Sequence, residues 1–286
     1  MLGNRRKKRR IEKETARLNA LREKFAITER ITDCKVASFT HIGTRKYQQD
    51  SAAVPSETLW NESEKNICVL SDGMGGLDGG ERASRICTET VMCDFYTGEI
   101  GSPAEFLHSE ISKIDSMVAG LRDNSGNLID SGATFIATVF EDEKLYWASV
   151  GDSRIYLIRG SQITAFNEDH NYYKTLKEKV KKGEITQAIA DADTTKEALI
   201  SYIGMDGVEL VDGNDEPFIL QDGDVILLCS DGLFKSLSEA AISRIVRTFS
   251  DNIPMAAKIL TYAAVDNRPR GQDNTTVILV KYNNKK

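Results

Sequence analysis

The stretch that decides the fold is residues 134–158, with the sequence TFIATVFEDEKLYWASVGDSRIYLI. It holds three apolar runs, 134–140, 145–150 and 154–158, which are separated by the polar segments EDEK and GDS. Each run has the length of a strand, and each break carries residues that are typical of tight turns. The stretch therefore predicts a meander of three antiparallel strands.

Short apolar runs of the same kind recur on both sides of this meander, at 67–70, 225–229 and 275–282. Other segments show the helical spacing of apolar residues. These segments are 81–95, 104–121, 171–181, 238–249 and 254–265. Because strands are grouped with strands and helices with helices, without the strict alternation that a parallel sheet requires, the pattern predicts an α+β layered domain.

Charge is divided unevenly along the 286 residues, whose formal net charge is −6. Residues 1–30 hold 11 Lys and Arg against 4 Glu, whereas the remainder holds 26 basic residues against 39 acidic ones. Every residue from 5 to 10 is Lys or Arg, and the apolar residues that follow have the spacing of an amphipathic helix. We therefore expect a basic tail and helix over 1–30 and one larger domain over 31–286. The tail is interpreted either as a docking element for a protein or an anionic surface, or as a solvated tail with a helix lying on its own domain.

Several classes of protein are excluded by what the sequence lacks. No run approaches the about 18 consecutive apolar residues of a membrane-spanning helix, and the basic N-terminus lacks the apolar stretch of a secretory signal. The five cysteines show no CxxC spacing and the three histidines form no HExxH pair, so neither a disulfide framework nor a zinc site is predicted. We expect a soluble, cytoplasmic protein whose plentiful carboxylates favour hard cations.

Aspartates stand at the ends of the apolar runs. Asp72, Asp152 and Asp231 each follow such a run after one small residue. Asp50 and Asp273 flank two further runs. A single Asp-Gly pair is more often only a turn, so the interpretation depends on the repetition at strand ends. If these ends converge, the carboxylates would repel one another unless cations neutralise them.

Oxygen ligands select hard octahedral ions, which makes Mg²⁺ or Mn²⁺ the predicted cofactor. Two such ions about 4 Å apart can turn a bridging water into hydroxide while they hold a phosphoryl group. Hydrolysis of a phosphate ester therefore fits the predicted cluster.

Residues 72–81, DGMGGLDGGE, have the glycine content of a nucleotide-binding loop. Asp78 stands where the GxGxxG pattern needs glycine, and no Gly-Lys-Ser or Gly-Lys-Thr follows, so kinase and dinucleotide-binding functions are excluded. A structural role remains, because glycines let the backbone approach metals closely enough for the Gly73 carbonyl to be a ligand. None of the five cysteines has an arginine six residues later, which argues against a cysteine-based phosphatase.

With these residues identified, the chain resembles the metal-dependent serine/threonine protein phosphatases of type 2C, in their bacterial form, over about residues 35–282. The matching motifs occur in the right order. They are Arg45 with 49–51, then 71–76, 80–84, 131–134, 150–154, 169–170, 229–233 and 273–276. The resemblance implies a four-layer α-β-β-α sandwich of two antiparallel sheets flanked by helix pairs, with a binuclear Mn²⁺ or Mg²⁺ centre at one end. It makes residues 31–286 the catalytic domain.

The resemblance also implies a role for each of the aspartates. Asp72 would bridge both metals, and Asp50 would reach one ion through water. The Gly73 carbonyl would bind one ion, while Asp231 and Asp273 would complete the ligands of the other. Asp152, together with Asp231, matches a third and weaker metal site of bacterial relatives.

Arg45 occupies the phosphate-binding position of the family, where a guanidinium can hold two substrate oxygens. Two residues depart from the family pattern. Met74 stands where many eukaryotic relatives have a histidine that is proposed to protonate the leaving group, and Gln49 replaces an acidic residue that often precedes the first aspartate. Residues 169–204 resemble the flap of the family, and they are interpreted either as a determinant of substrate preference or as a surface insertion.

The main hypothesis is hydrolysis of phosphoserine or phosphothreonine on proteins by a metal-bridging hydroxide. The expected partners are phosphorylated proteins, including a serine/threonine kinase. An alternative is a catalytically weak pseudophosphatase that binds phosphoproteins, although the retained aspartates argue against it. Specific binding of nucleic acid is not expected, because the domain is acidic and lacks interleaved basic and aromatic residues.

Overall fold

The computed structural model describes residues 36–74, 79–268 and 270–283, which form two antiparallel β-sheets and flanking helices. The basic tail and helix predicted for residues 1–30 lie outside the described residues. None of the helices in the described ranges is long and apolar enough to cross a membrane.

The first sheet has five strands in the order β1-β11-β10-β6-β7. Neighbouring strands are antiparallel, and the first and last strands of the described chain pair with each other, with Val36 opposite Val280. The strands of this sheet are β1 (Val36–His41), β6 (Arg154–Arg159), β7 (Gln162–Ala165), β10 (Val225–Cys229) and β11 (Thr275–Lys281).

The second sheet has the order β2-β3-β4-β5-β8, with the short strand β9 also paired to β5. β4 and β5 form a hairpin as predicted, but the predicted three-stranded meander is wrong in its third strand, because the turn at 151–153 carries the chain into the first sheet, where β6 pairs with β10 and β7. The pairing of β2 with β3 places Asp50 opposite Asp72. The strands are β2 (Asp50–Ala53), β3 (Lys65–Asp72), β4 (Phe135–Glu141), β5 (Lys144–Val150), β8 (Asp212–Gly213) and β9 (Phe218–Ile219).

Eight helices lie in the described ranges. Three of the longer helices begin at a serine or asparagine cap. The cap side chain accepts a hydrogen bond from the backbone amide three residues later, which would otherwise lack a partner within the helix. The helices are α1 (Glu57–Glu62), α2 (Gly80–Thr97), α3 (Pro103–Ala119), α4 (Tyr172–Lys181), α5 (Gln187–Ala192), α6 (Asp231–Phe234), α7 (Glu239–Thr248) and α8 (Ile253–Asn267).

The order of layers follows from the alternation of side chains along the strands. In β11, Ile278 and Val280 face the second sheet, whereas Val277 and Leu279 pack against α7 and α8. On the other side of the molecule, α2 and α3 cover the outer face of β3, β4 and β5. Both sheets are therefore buried on two faces, and the layers are helix, sheet, sheet, helix.

The predicted α+β class and the two antiparallel sheets are confirmed. Each predicted run and each predicted helical segment lies in a strand or helix whose bounds differ from the prediction by a few residues. Several elements were not predicted, and most are short or polar. These are β1, β2, β7, β8, β9, α1, α5 and α6.

The contact between the two sheets should dominate the stability of the fold. Ile136 is fully buried between the sheets, so Ile136→Ala should lower the free energy of unfolding by about 2–5 kcal/mol through lost burial and a new cavity. Ile219 is 53% exposed on an edge strand, and Ile219→Ala should change the free energy of unfolding by less than about 0.5 kcal/mol. Urea unfolding in chelator measures both, and equal effects would contradict the assignment of this layer as the core.

Candidate active site

The predicted aspartates meet at one end of the sandwich. Asp72 is the last residue of β3, Asp50 is the first residue of β2, and the two are directly paired across the sheet. From the facing sheet, Asp231 follows β10 and Asp273 precedes β11. Because β2 pairs with β3 and β10 pairs with β11, the fold brings together carboxylates that are up to 223 positions apart in the sequence.

Asp72 stands at the electrostatic centre of this group. Burial raises the pKa of its carboxyl well above the ordinary value, and the charges of Asp50, Asp231, Asp152 and Asp273 raise it further. Each of these four aspartates therefore lies close enough to Asp72 to affect its ionisation. A metal-free site of this kind favours protonation, and bound cations would reverse that preference.

Asp50 is buried beneath the site and retains an unused oxygen. Its Oδ2 accepts a hydrogen bond from Ser230 Oγ at 2.8 Å, and Ser230 Oγ in turn accepts from the amide of Thr276 at 2.9 Å. Burial raises the pKa of Asp50 to about 6. Its Oδ1 is buried without a hydrogen-bond partner, and the same is true of Asp231 Oδ1. Two buried anionic oxygens without donors are what a site for a hard cation requires.

Gly73 continues the backbone from Asp72 into this site in a very confined space. Its amide donates to the Gln49 carbonyl at 3.0 Å, and a Cβ at this position would lie 2.3 Å from the Gly80 carbonyl oxygen. Only glycine therefore allows the chain to pass at this point. Gly73 also lines the pocket described below.

Asp152 is held by a tight turn after β5. Gly151 has φ of +101°, and a Cβ there would lie 2.8 Å from the Cβ of Thr134. The Gly151 carbonyl accepts from the amide of His170 at 2.9 Å, and His170 Nδ1 accepts from the amide of Gly151 at 3.2 Å. Burial raises the pKa of Asp152 to about 7, and Asp231 adds to this effect. Contacts at Gly151 thus join three of the matching motifs, 131–134, 150–154 and 169–170.

Arg45 reaches the site from the loop between β1 and β2. Its guanidinium forms an ion pair of 2.5 Å with Asp273 Oδ2, at the exposed edge of the cluster. Asn274 fastens this loop, because its Nδ2 donates to the carbonyls of Ile42 and Tyr47 and its Oδ1 accepts from the amide of Gln49. Sequence reasoning gave Asn274 no role of its own, although it lies within the matching motif.

Lys235 is a member of the site that sequence reasoning missed. Its Nζ lies 2.6 Å from Asp231 Oδ2, 3.8 Å from Asp152 Oδ2 and 3.7 Å from Glu197 Oε2. Burial opposes the charged form of Lys235, but Asp231 and Asp152 outweigh it and raise the pKa of the ammonium. Its spacing of four residues from Asp231, in a segment that begins a helix, was the available signal.

A pocket of about 290 Å³ joins these groups at the surface. Of the predicted site residues, Asp50 alone does not line it, and its side chain is buried. Residues 197–199 form another wall, so the segment predicted to resemble a flap does reach the site. The lining residues are Arg45, Gln49, Asp72, Gly73, Met74, Thr134, Asp152, Glu197, Ala198, Leu199, Asp231, Lys235, Asp273 and Asn274.

The donor set is suited to hard divalent cations. Within residues 36–74, 79–268 and 270–283, no group of three or more His, Cys, Asp or Glu side chains is arranged so that it could hold a metal ion. The residues that could contribute are nevertheless all oxygen donors, namely the carboxylates around Asp72 and the Gly73 carbonyl. A set of this type, completed by water, is the usual environment of Mg²⁺ or Mn²⁺.

Comparison with known proteins identifies the family. The family model described as protein phosphatase 2C matches residues 39–259. The serine/threonine phosphatase stp of Listeria welshimeri is 28% identical over 243 residues, which are 84% of this chain and 92% of that protein.

Solved structures agree with this match. The serine/threonine phosphatase of S. agalactiae has a TM-score of 0.73 at 25% identity, over 86% of this chain and 98% of that one. The catalytic domain of the serine/threonine protein phosphatase PstP, solved in complex with two manganese ions, has a TM-score of 0.67 at 25% identity, over 86% and 96% of the two chains. On the strength of these matches, the chain belongs to the protein phosphatase 2C family.

Proposed function

We propose that this chain hydrolyses phosphoserine and phosphothreonine on protein substrates, with Mn²⁺ or Mg²⁺ as cofactor. The observation that carries the proposal is the group of aspartates around Asp72, in which Asp50 and Asp231 each keep a buried oxygen without a donor. The names of the family and of its relatives, which are serine/threonine phosphatases, support the type of reaction.

The metal site would hold two ions, as in the relative PstP. Asp72 would bind both, the Gly73 carbonyl would bind one, Asp231 and Asp273 would bind the other, and Asp50 would act through water. Two bound cations supply charge neutralisation at the phosphoryl group and activation of water for attack on phosphorus. The contribution of the chain is to hold these oxygens in fixed positions on strand ends, so that little reorganisation is needed when substrate binds.

Arg45 is the group that would bind the substrate phosphate. Only one of its nitrogens is engaged with Asp273, so the guanidinium keeps donors for a phosphate oxygen. The side chain is 51% exposed at the rim of the pocket, where a phosphorylated residue on a protein surface can reach it. Met74 also lines the pocket, but its thioether has no proton to give to the leaving group. That proton must therefore come from solvent or from another group.

The remaining proposals concern partners and the N-terminal segment. Phosphorylated proteins are the substrates, and a serine/threonine kinase is proposed to be among them. Residues 1–30 are proposed as a separate basic segment that docks to a protein or an anionic surface, while residues 31–286 suffice for catalysis. The charge difference between the two parts of the sequence is the basis of this division.

The metal mechanism predicts which aspartates are essential. Release of phosphate from a phosphothreonine peptide should require Mn²⁺ and stop with chelator. Asp72→Asn and Asp231→Asn should each lower kcat by at least about 100-fold, because each removes an anionic oxygen from the proposed ligand set. Asp215→Asn, on a side chain that is 92% exposed, is the control and should leave kcat unchanged.

Two results would contradict this mechanism. Activity that persists in chelator would exclude the metal, and tight binding of the phosphopeptide without turnover would favour the pseudophosphatase.

In the absence of metal, the charged form of Asp50 destabilises the folded protein. Asp50→Asn removes this charge, so it should stabilise the fold at a pH where Asp50 is ionised. Because the pKa of Asp50 rises from 3.8 to about 6 on folding, wild-type stability falls as the pH rises through this window. At pH 7.5 in chelator, the variant should therefore melt about 3–8 °C higher than wild type, which corresponds to about 1–3 kcal/mol. At pH 4.5, where the folded carboxyl is protonated, most of the difference should vanish.

Calorimetry at the two pH values measures this effect, and saturating Mn²⁺ should raise the Tm of wild type more than that of the variant. A difference between the two proteins that is the same at both pH values would contradict the electrostatic cause.

The domain division predicts that residues 1–30 are dispensable for chemistry. Deleting them should leave kcat and KM for the phosphothreonine peptide largely unchanged, because each proposed ligand lies beyond residue 36. Steady-state kinetics on the full and shortened chains measure this, with Tm as the control for folding. A large fall in kcat with an unchanged Tm would show that the boundary is wrong.

A further inference from the structure

Lys235 stands beside the proposed metal ligands, and local geometry places it there. The helix α6 begins at Asp231, and Lys235 is the cap residue one turn later. Side chains four residues apart lie on the same helix face, so the ammonium turns back onto the Asp231 carboxylate. Its Nζ contacts Asp231 Oδ2 at 2.6 Å.

The same ammonium also faces two carboxylates from other elements. Asp152 comes from the turn after β5, with its Oδ2 at 3.8 Å, and Glu197 comes from the segment after α5, with its Oε2 at 3.7 Å. Asp152 is only 9% exposed, so it depends strongly on a nearby positive charge. Lys235 thus stands among three anions that belong to three separate parts of the chain.

A third divalent ion bound to Asp152 and Asp231 would compete for the oxygens that Lys235 uses. It would also place two positive charges within a few ångströms of the ammonium, which is unfavourable at a partly buried position. Asp231 Oδ1, in contrast, is not used by Lys235 and remains available on its other side. Asp231 can therefore hold Lys235 through Oδ2 while Oδ1 stays open to a metal ion.

We propose that the ammonium of Lys235 takes the place of a third metal ion between Asp152 and Asp231, so that this chain binds two divalent ions. Asp152 is then a partner of Lys235 and not a metal ligand, which replaces the role given to it by resemblance. This inference rests on the proposed metal-dependent function.

The proposal also gives Glu197 a role. Through Lys235, the wall formed by residues 197–199 is tied to the acidic cluster by charge. A metal ion at this position could be lost by dissociation, whereas the ammonium is covalently part of the chain. The link to the flap is therefore independent of metal concentration.

Metal stoichiometry tests the proposal without relying on activity. Wild type and Lys235→Met, which keeps the length of the side chain but removes its charge, are dialysed to equilibrium against Mn²⁺, and the bound metal is measured by mass spectrometry. Wild type should hold two Mn²⁺ per chain and Lys235→Met three. The double variant Lys235→Met with Asp152→Asn should return to two, because the third ion then loses a ligand.

Lys174→Met is the matched control. The side chain of Lys174 is 26% exposed, close to the 30% of Lys235, and it also forms an ion pair, with Glu168. Lys174 does not line this pocket. It should bind two Mn²⁺ like wild type. Circular dichroism and Tm in chelator check the folding of each variant, and Lys235→Gln provides a second neutral substitution if Lys235→Met does not fold.

The outcomes separate this inference from the proposed function. Three Mn²⁺ on wild type, or two on both folded neutral variants, would overturn the role of Lys235 and leave the metal-dependent function standing. No bound Mn²⁺ on wild type would overturn both. The proposal would be supported by two bound Mn²⁺ on wild type and three on the neutral variants, with a return to two when Asp152→Asn is added.

Discussion

Repulsion between buried carboxylates is the constraint on which this end of the molecule depends. Asp50 and Asp72 are directly opposite each other on paired strands, and three more aspartates act on Asp72 from neighbouring strand ends. Such a group is unfavourable in water-free surroundings, so the rest of the fold must hold it in place. The two sheets do this because both faces of each are covered, and their strands cannot separate without opening the core between them.

The negative charge of the cluster is balanced in two different ways. At the rim, protein cations serve as partners, with Arg45 on Asp273 and Lys235 on Asp231. Inside, Asp50 Oδ1 and Asp231 Oδ1 have no donor. The outer oxygens thus have partners within the chain, whereas the inner ones are those nearest to the proposed metal ions.

How much of this was predictable from the sequence depends on the kind of signal. The strands of both sheet centres are buried on two faces, so they form continuous apolar runs such as 225–229, and the aspartates that follow them were visible as a pattern. The edge strand β7 is largely exposed and carries no such run, so it was missed. Lys235 was missed because two of its three carboxylate partners, Asp152 and Glu197, come from distant segments, and only Asp231 is local. Asn274 was missed because its partners are backbone atoms of a loop 225–232 residues earlier. No local pattern records such contacts.

The fastening of the Arg45 loop by Asn274 has a consequence for the order in which the protein becomes active during synthesis. Arg45 and Asp273 are 228 residues apart, and β1 pairs with β11. While the ribosome still holds the segment with β11, one carboxylate of the cluster is missing and the arginine has no anchor. The pocket is therefore completed only when the last strand joins the sheet, and a chain that stops before Asp273 lacks both this carboxylate and the partner of Arg45.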